Sequence, residues 1–197
     1  MKKKLVAFDA DGVLVNYDKG FHKWMRGKYG IELDYANRPT YGLYQTYPEK
    51  FPTIDDELKM VHEFGMDGGM ATLERFCPFL DEVINRDDVV VLSRFPEWQR
   101  LDRYAGLKAA VGLRYASKIF GVWEQPKPVV LERLATKFGV ALDDVLMIDD
   151  LPHHIPEFGQ GILVAQSYNE NPQFKPTQRA VRVDPAEVID HVKEFLR

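Results

Sequence analysis

The sequence predicts an α/β fold: a doubly wound, mainly parallel Rossmann-like sheet with a small helical segment inserted after its first strand. Two observations predict it. Apolar runs of strand length recur along the 197-residue chain and alternate with segments of helical spacing, and two of those runs end directly in pairs of acids. Strands buried on both faces read as continuous apolar runs, and their alternation with helices marks a sheet covered on two sides.

Leu5 to Phe8 is the first such run, followed by Val89 to Leu92, Val145 to Ile148 and Gly161 to Ala165, with a weaker candidate near Tyr115 to Phe120. Pro128 suits a first helical position ahead of Val129, Val130, Leu131, Leu134 and Phe138, with Gly139 as the stop. Asp184-Pro185-Ala186-Glu187 supplies an N-cap, a first-turn proline and a capping-box acid for a last helix carrying Val188, Ile189, Val192 and Phe195. A helix starts near Pro96, and the polar stretch Ser167 to Ala180, with two prolines, reads as a surface loop.

Between Tyr17 and Leu80 the alternation stops. That interval lacks a convincing buried strand and is rich in Tyr, Phe, Pro and Gly, which predicts an inserted helical cap. Its best helices are Phe21 to Tyr29 and Ile54 to Phe64, the second capped by Thr53 with Asp56 at the third helical position. Gly65 to Gly69 reads as a turn, with a hinge as the alternative. The predicted division is a core of residues 1–16 and 81–197 and a cap of residues 17–80.

With 45% hydrophobic and 28% charged residues, the chain can bury one ordinary core and a modest insertion. A formal net charge of -4 offers no basic face to nucleic acid or to anionic lipid. The single Cys77 excludes an internal disulfide, so a reducing, cytoplasmic setting is expected. Met1-Lys2-Lys3-Lys4 has the outline of a leader, but Asp9 and Asp11 interrupt the apolar run that follows. No other stretch is long enough to span a bilayer.

Four positions carry candidate chemistry. Asp9 and Asp11 end the first run, where ligands bind in such sheets, and carboxylates at i and i+2 of an extended chain share one side. Gly12 lets the backbone turn closely behind them. Ser93 follows the second run and either donates to an anion or caps the next helix. Lys127 stands where a helix begins, at an end that favours anions. Asp149-Asp150 ends the third strong run, as a site or as a solvated turn. If the strands are parallel, these acids meet in one crevice. Like charges about 4 Å apart repel by about 4 kcal/mol at an effective dielectric near 20, so cations must join them. Lys127 offsets one charge, and all-oxygen ligation favours Mg²⁺ for the rest.

In order and approximate spacing, Asp9-Ala10-Asp11-Gly12-Val13, Ser93, Lys127-Pro128 and Asp149-Asp150 resemble the four motifs of the haloacid dehalogenase-like hydrolases. The resemblance covers residues 1–16 and about 81–166 and implies a phosphatase with a small helical cap. It implies Asp9 as the nucleophile that becomes a phosphoaspartate and Asp11 as the general acid and base. Ser93, Lys127 and Gly12 would serve the phosphoryl group. Mg²⁺ would be held by Asp9, the Asp11 carbonyl and Asp150, with Asp149 as an alternative ligand or as the residue that orients Lys127. The acid at position 11 disfavours dehalogenation, and phosphomonoester hydrolysis leads; a sugar phosphomutase, or a phosphate- and metal-binding regulatory protein without useful turnover, remains the alternative.

A weaker resemblance, to the 5'(3')-deoxyribonucleotidases, implies a nucleoside monophosphate among the small phosphorylated metabolites that would be substrates. Ser93-Arg94-Phe95 departs from the Thr-Ser-Pro pattern of that group. Tyr17, Phe21, Trp24, Tyr41, Tyr44 and Tyr47 would form either an aromatic wall for a base or the core of the cap. Arg94 would meet a second anion or solvent. His153 and His154 are expected in a loop beside the acids, and Trp123 is expected to be structural.

Overall fold

The computed structural model describes residues 2–77, 80–170 and 179–197. Six strands, β1 (Leu5–Phe8), β2 (Val89–Arg94), β3 (Ile119–Val122), β4 (Val145–Asp149), β5 (Gln160–Val164) and β6 (Ala180–Val183), form one sheet in the order β3-β2-β1-β4-β5-β6. All neighbouring pairs are parallel. The chain winds outward from β1 to β3, then crosses back to β4 and winds the other way. The switch point between β1 and β4 is where such sheets open a crevice.

Strand periodicity explains why these runs are apolar throughout. Val6, Phe8, Val89, Val91, Leu146 and Ile148 face one apolar cluster, completed by Leu107 and Val111 of α5 (Arg100–Val111) and by Val188 and Val192 of α7 (Val188–Leu196). Leu5, Ala7, Val90, Leu92, Val145 and Met147 face the other, filled by Leu131, Leu134 and Ala135 of α6 (Lys127–Phe138). Helix α6 has the expected proline in its first turn and ends at Gly139 with φ +66°, a left-handed stop.

Between β1 and β2 run α1 (Tyr17–Tyr29), α2 (Leu43–Thr46), α3 (Ile54–Met66) and α4 (Leu80–Val83). Asn16 caps α1 by accepting from the Lys19 N–H at 2.9 Å, and Thr53 with Asp56 forms the expected capping box of α3. These helices have a core of their own, with Phe21, Met25, Leu33, Leu43, Phe51, Phe64 and Met70 buried together. Among the described residues, no helix is long and apolar enough to cross a membrane.

Five expectations need correction. Strand β6 escaped the sequence reading, because Ala180-Val181-Arg182-Val183 is short, half exposed and interrupted by Arg182. Strand β3 lies later than Tyr115 to Phe120, since Leu113–Lys118 forms a 3-10 helix. Gly65 belongs to α3, so the turn starts after Met66. Asp184 accepts from the Ala186 N–H at 2.9 Å and shapes a turn, while α7 starts only at Val188. The Ser167 to Ala180 loop is partly wrong: Ser167–Asn169 is a 3-10 turn with Tyr168 and Asn169 buried, and residues 171–178 lie outside the described residues.

Candidate active site

Register builds the site. Phe8 pairs with Val91 on β2 and Ile148 on β4, so Asp9 leaves β1 beside the ends of both neighbours. Its backbone N–H still donates to the Ile148 carbonyl at 2.8 Å. The chain then turns through Gly12 at φ +70°, with the Gly12 N–H donating to the Val15 carbonyl at 3.0 Å. Only glycine fits this turn, because a Cβ there would lie 2.6 Å from Asp150 Oδ2.

Lys127, at the first position of α6, reaches under the strand ends. Its ammonium lies 2.7 Å from Asp9 Oδ1 and 2.7 Å from Asp149 Oδ2. The second Asp149 oxygen accepts from the Leu151 N–H at 2.9 Å and stands 3.2 Å from His154 Nδ1. Burial raises the Asp149 carboxyl, but Lys127 and His154 outweigh it and hold the group down at about 2. Asp9 has the opposite balance. Burial and the Asp149 charge push it up to about 7, with Lys127 only partly offsetting them. Asp150 is likewise raised well above the ordinary carboxylate range by burial and by the charges of Asp149 and Asp9. Burial works against the charged form of Lys127, yet its two carboxylate partners raise its pKa.

Asp150 faces the other way from Asp149. Its Oδ2 accepts from the Tyr168 hydroxyl, and its backbone carbonyl accepts from Asn169 Nδ2 at 2.9 Å. Gln166 Nε2 donates to the Gly12 carbonyl at 2.7 Å, tying the segment after β5 to the first turn. Asp11 and Ser93 are joined through Arg103, which stands 2.5 Å from Asp11 Oδ1 and 3.5 Å from Ser93 Oγ.

The structure thus brings Asp9, Lys127 and Asp149 into direct contact and sets Gly12 against Asp150. Ser93 lies inside β2, fully buried, so the capping alternative for it falls away. Sequence reasoning missed Arg103, Tyr168, Asn169 and Gln166. Arg103 had a signal: it lies on the 103, 107, 111 stripe of α5 with the buried Leu107 and Val111. The others lie in a polar segment with no periodicity. His153 and His154, expected in a loop beside the acids, end a short 3-10 helix, Pro152–His154, in which His153 is exposed and His154 is buried against Asp149. Trp123 stacks under the Arg100 guanidinium at 5.5 Å and near Phe95, a packing role away from the acids.

Among the described residues, Asp9, Asp149 and His154 form a group whose ligand atoms lie within 4.8 Å of one another. Lys127 already bridges the two carboxylates of that group. A cation there would meet the ammonium, whereas Asp9 and Asp150 are buried acids lacking full compensation. Carboxylate oxygens of this kind are what a hard divalent ion takes as ligands.

Above the acids opens a cavity of about 770 Å³, which reaches Asp11, Gly12, Asp150 and Arg103 at its floor. Tyr17, Tyr41 and Tyr44 line it, as does Arg94, with Trp98 and Phe95 on the far wall. Phe21, Trp24 and Tyr47 do not; Phe21 is core, and the other two pack against it. The aromatic residues therefore divide between cavity lining and cap core.

No family model and no curated protein matches the chain. Solved structures do. A HAD family hydrolase from Deinococcus radiodurans R1, solved with bound phosphate and sodium, superposes with a TM-score of 0.61 at 15% identity, covering 98% of this chain and 96% of that one. A haloacid dehalogenase-like hydrolase from Streptococcus pneumoniae gives 0.60 at 13%, covering 96% and 98%. A predicted phosphoglycolate phosphatase from Haemophilus somnus gives 0.60 at 18%, covering 98% and 99%. With the strand order and the strand-end acids already in place, the chain has the fold of the haloacid dehalogenase-like hydrolases.

Proposed function

We propose that the chain is a Mg²⁺-dependent phosphomonoester hydrolase that works through an aspartyl phosphate at Asp9, beneath a cap formed by residues 17–80. The observation that carries this reading is the pairing of a buried strand-end carboxylate with a buried ammonium, Asp9 with Lys127 at 2.7 Å, in the strand-end crevice whose neighbours Asp11, Gly12 and Asp150 line an open cavity. Phosphate bound to a protein of the same fold supports it.

In the first step an Asp9 oxygen bonds to phosphorus while the ester P–O bond breaks, and Asp11 gives its proton to the departing oxygen. In the second step Asp11 takes a proton from water, the water oxygen bonds to phosphorus, and the acyl phosphate breaks to release phosphate and regenerate Asp9. Lys127 and the Ser93 hydroxyl hold the phosphoryl oxygens. Asp149, fixed by Leu151 N–H and His154, positions Lys127. Mg²⁺ held by Asp9, Asp150 and the Asp11 carbonyl would keep Asp9 ionised and neutralise phosphate charge.

A nucleoside monophosphate is the proposed substrate class. The cavity is large for a small phosphorylated acid, and Tyr41, Tyr44 and Trp98 offer ring surface for a base. Phosphate release across nucleotide, sugar and small-acid monophosphates tests both levels, with Asp9→Asn as control. The expected result is a nucleotide preference, lost with all turnover in Asp9→Asn. Full turnover in that variant would refute the nucleophile.

A further inference from the structure

We propose that Arg103 is a third ligand of the transferred phosphoryl group, approaching it from the β2 side as Lys127 does from the β4 side; this rests on the phosphatase reading of the site. Arg103 is 1% exposed, yet apart from its ion pair with Asp11 the hydrogen bonds of its guanidinium are long ones. Nη2 reaches Ser93 Oγ only at 3.5 Å, and Nη1 reaches the Met70 sulfur at 3.9 Å. The 2.5 Å approach to Asp11 Oδ1 is a charge contact without hydrogen-bond alignment, and it leaves that oxygen buried with no hydrogen-bond donor.

A side chain with five donors is normally placed among strong acceptors when it is buried. Here one strong acceptor, the Asp11 carboxylate, stands at 2.5 Å, and the place for a second is open on the same side. Nη2 lies between Asp11 and Ser93, the proposed acid and the proposed hydrogen-bond donor to the phosphoryl oxygens, and Arg103 lines the cavity floor. A tetrahedral oxyanion on Asp9 within reach of Ser93 would meet the guanidinium fork, whose geometry suits phosphate oxygens. The helix is also pinned. A Cβ on Gly106 would lie 2.0 Å from the Met70 carbonyl oxygen, so α5 packs backbone to backbone on the Gly69–Thr72 turn and holds Arg103 over the site.

Two other roles are distinguishable: a counter-ion that only positions Asp11, and a reader of a second anion on the leaving group. The test measures orthophosphate binding by calorimetry with Mg²⁺ present, and turnover of p-nitrophenyl phosphate, whose leaving group carries no second anion. Arg103→Met is expected to weaken orthophosphate binding by about tenfold or more and to slow p-nitrophenyl phosphate turnover, with Arg103→Lys recovering part of both. Unchanged orthophosphate affinity in folded Arg103→Met overturns the proposal. A loss confined to substrates with a second anion overturns it in favour of the leaving-group reader. If Arg103→Met does not fold, arginine-labelled wild-type protein decides by NMR: orthophosphate must move the Arg103 guanidinium signal, identified by its absence from Arg103→Lys, and an unmoved signal at saturation refutes the assignment. Absent turnover in the wild type with this signal still shifting would fault the phosphatase reading and not the phosphate contact.

Discussion

The floor and the roof of the cavity differ in how they are held. At the floor and directly behind it, Asp9, Ser93, Lys127, Asp149 and Asp150 are each at most 5% exposed, held by strand register and by contacts such as those of Lys127 to Asp9 and Asp149. In the roof, Tyr41 is 47% exposed and Ile54 and Leu58 more than half exposed, around a separate small core. The floor derives its order from the sheet and from the first turn of α6. The roof is anchored by one cluster and by side-chain contacts such as the Ser167 hydroxyl donating to the Arg38 carbonyl at 3.0 Å. Under the proposed function, chemistry belongs to the first region and selection to the second, and substitutions should separate them.

The largest separation is expected from Phe64→Ala. Phe64 is buried among Tyr17, Phe21 and Trp24, and its removal should cost about 3–5 kcal/mol, concentrated in the roof. Hydrogen exchange checks this: α1 and α3 should lose protection while β1 and β4 keep theirs. Equal loss in both regions would mean that floor and roof unfold as one.

On the floor, Gly12→Ala should cost roughly 1–3 kcal/mol through its φ of +70° and should displace Asp150, which its Cβ would approach to 2.6 Å. Thermal melting and divalent-ion titration should therefore both suffer, whereas an unaffected ion affinity would place the metal away from Asp150.

Charge on the floor makes a pH prediction. Asp9, at about 7 against an ordinary 3.8, holds a proton in the folded state that the unfolded chain has lost, so stability from it falls as pH rises from about 4 to 7. Asp149, held at about 2, contributes stability above about 4 that disappears as pH falls toward 2. Under the proposed function, Mg²⁺ held by Asp9 would remove the first penalty by favouring the ionised carboxylate. Its stabilising shift in melting temperature should accordingly be larger at pH 8 than at pH 5. A shift independent of pH would contradict Asp9 as a ligand.

The smallest effect is expected in the roof. Tyr41→Ala should raise KM for a nucleoside monophosphate by about three- to tenfold and leave p-nitrophenyl phosphate turnover unchanged. Equal losses on both substrates would give Tyr41 a role in the chemistry.

The same contrast explains what could be read from the sequence. Asp9, Asp11, Ser93 and Asp149-Asp150 are legible because each follows an apolar run, and parallel pairing turns sequence position into spatial neighbourhood. Lys127 is legible as a helix start. The division of labour between Asp149 and Asp150 is not, since it depends on which carboxylate meets Lys127 and which meets Tyr168. Tyr168 and Gln166 reach the site from a polar segment 18 and 154 residues away from their partners, and no local pattern announces them. Strand β6 was hidden for a related reason: at the sheet edge it buries only Val183 well. The roof aromatics could be named but not sorted into wall and core, because α1 alone places Tyr17 at the cavity and Phe21 in the core one turn apart.

The central claim is that Asp9 carries the phosphoryl group. Acid quench of the enzyme during turnover of p-nitrophenyl phosphate with Mg²⁺, followed by peptide mass spectrometry, tests it directly. The account predicts a phosphoryl adduct on the peptide containing Asp9, labile to hydroxylamine and absent from Asp9→Asn. Steady turnover with no adduct at Asp9, or with one on another residue, would contradict it.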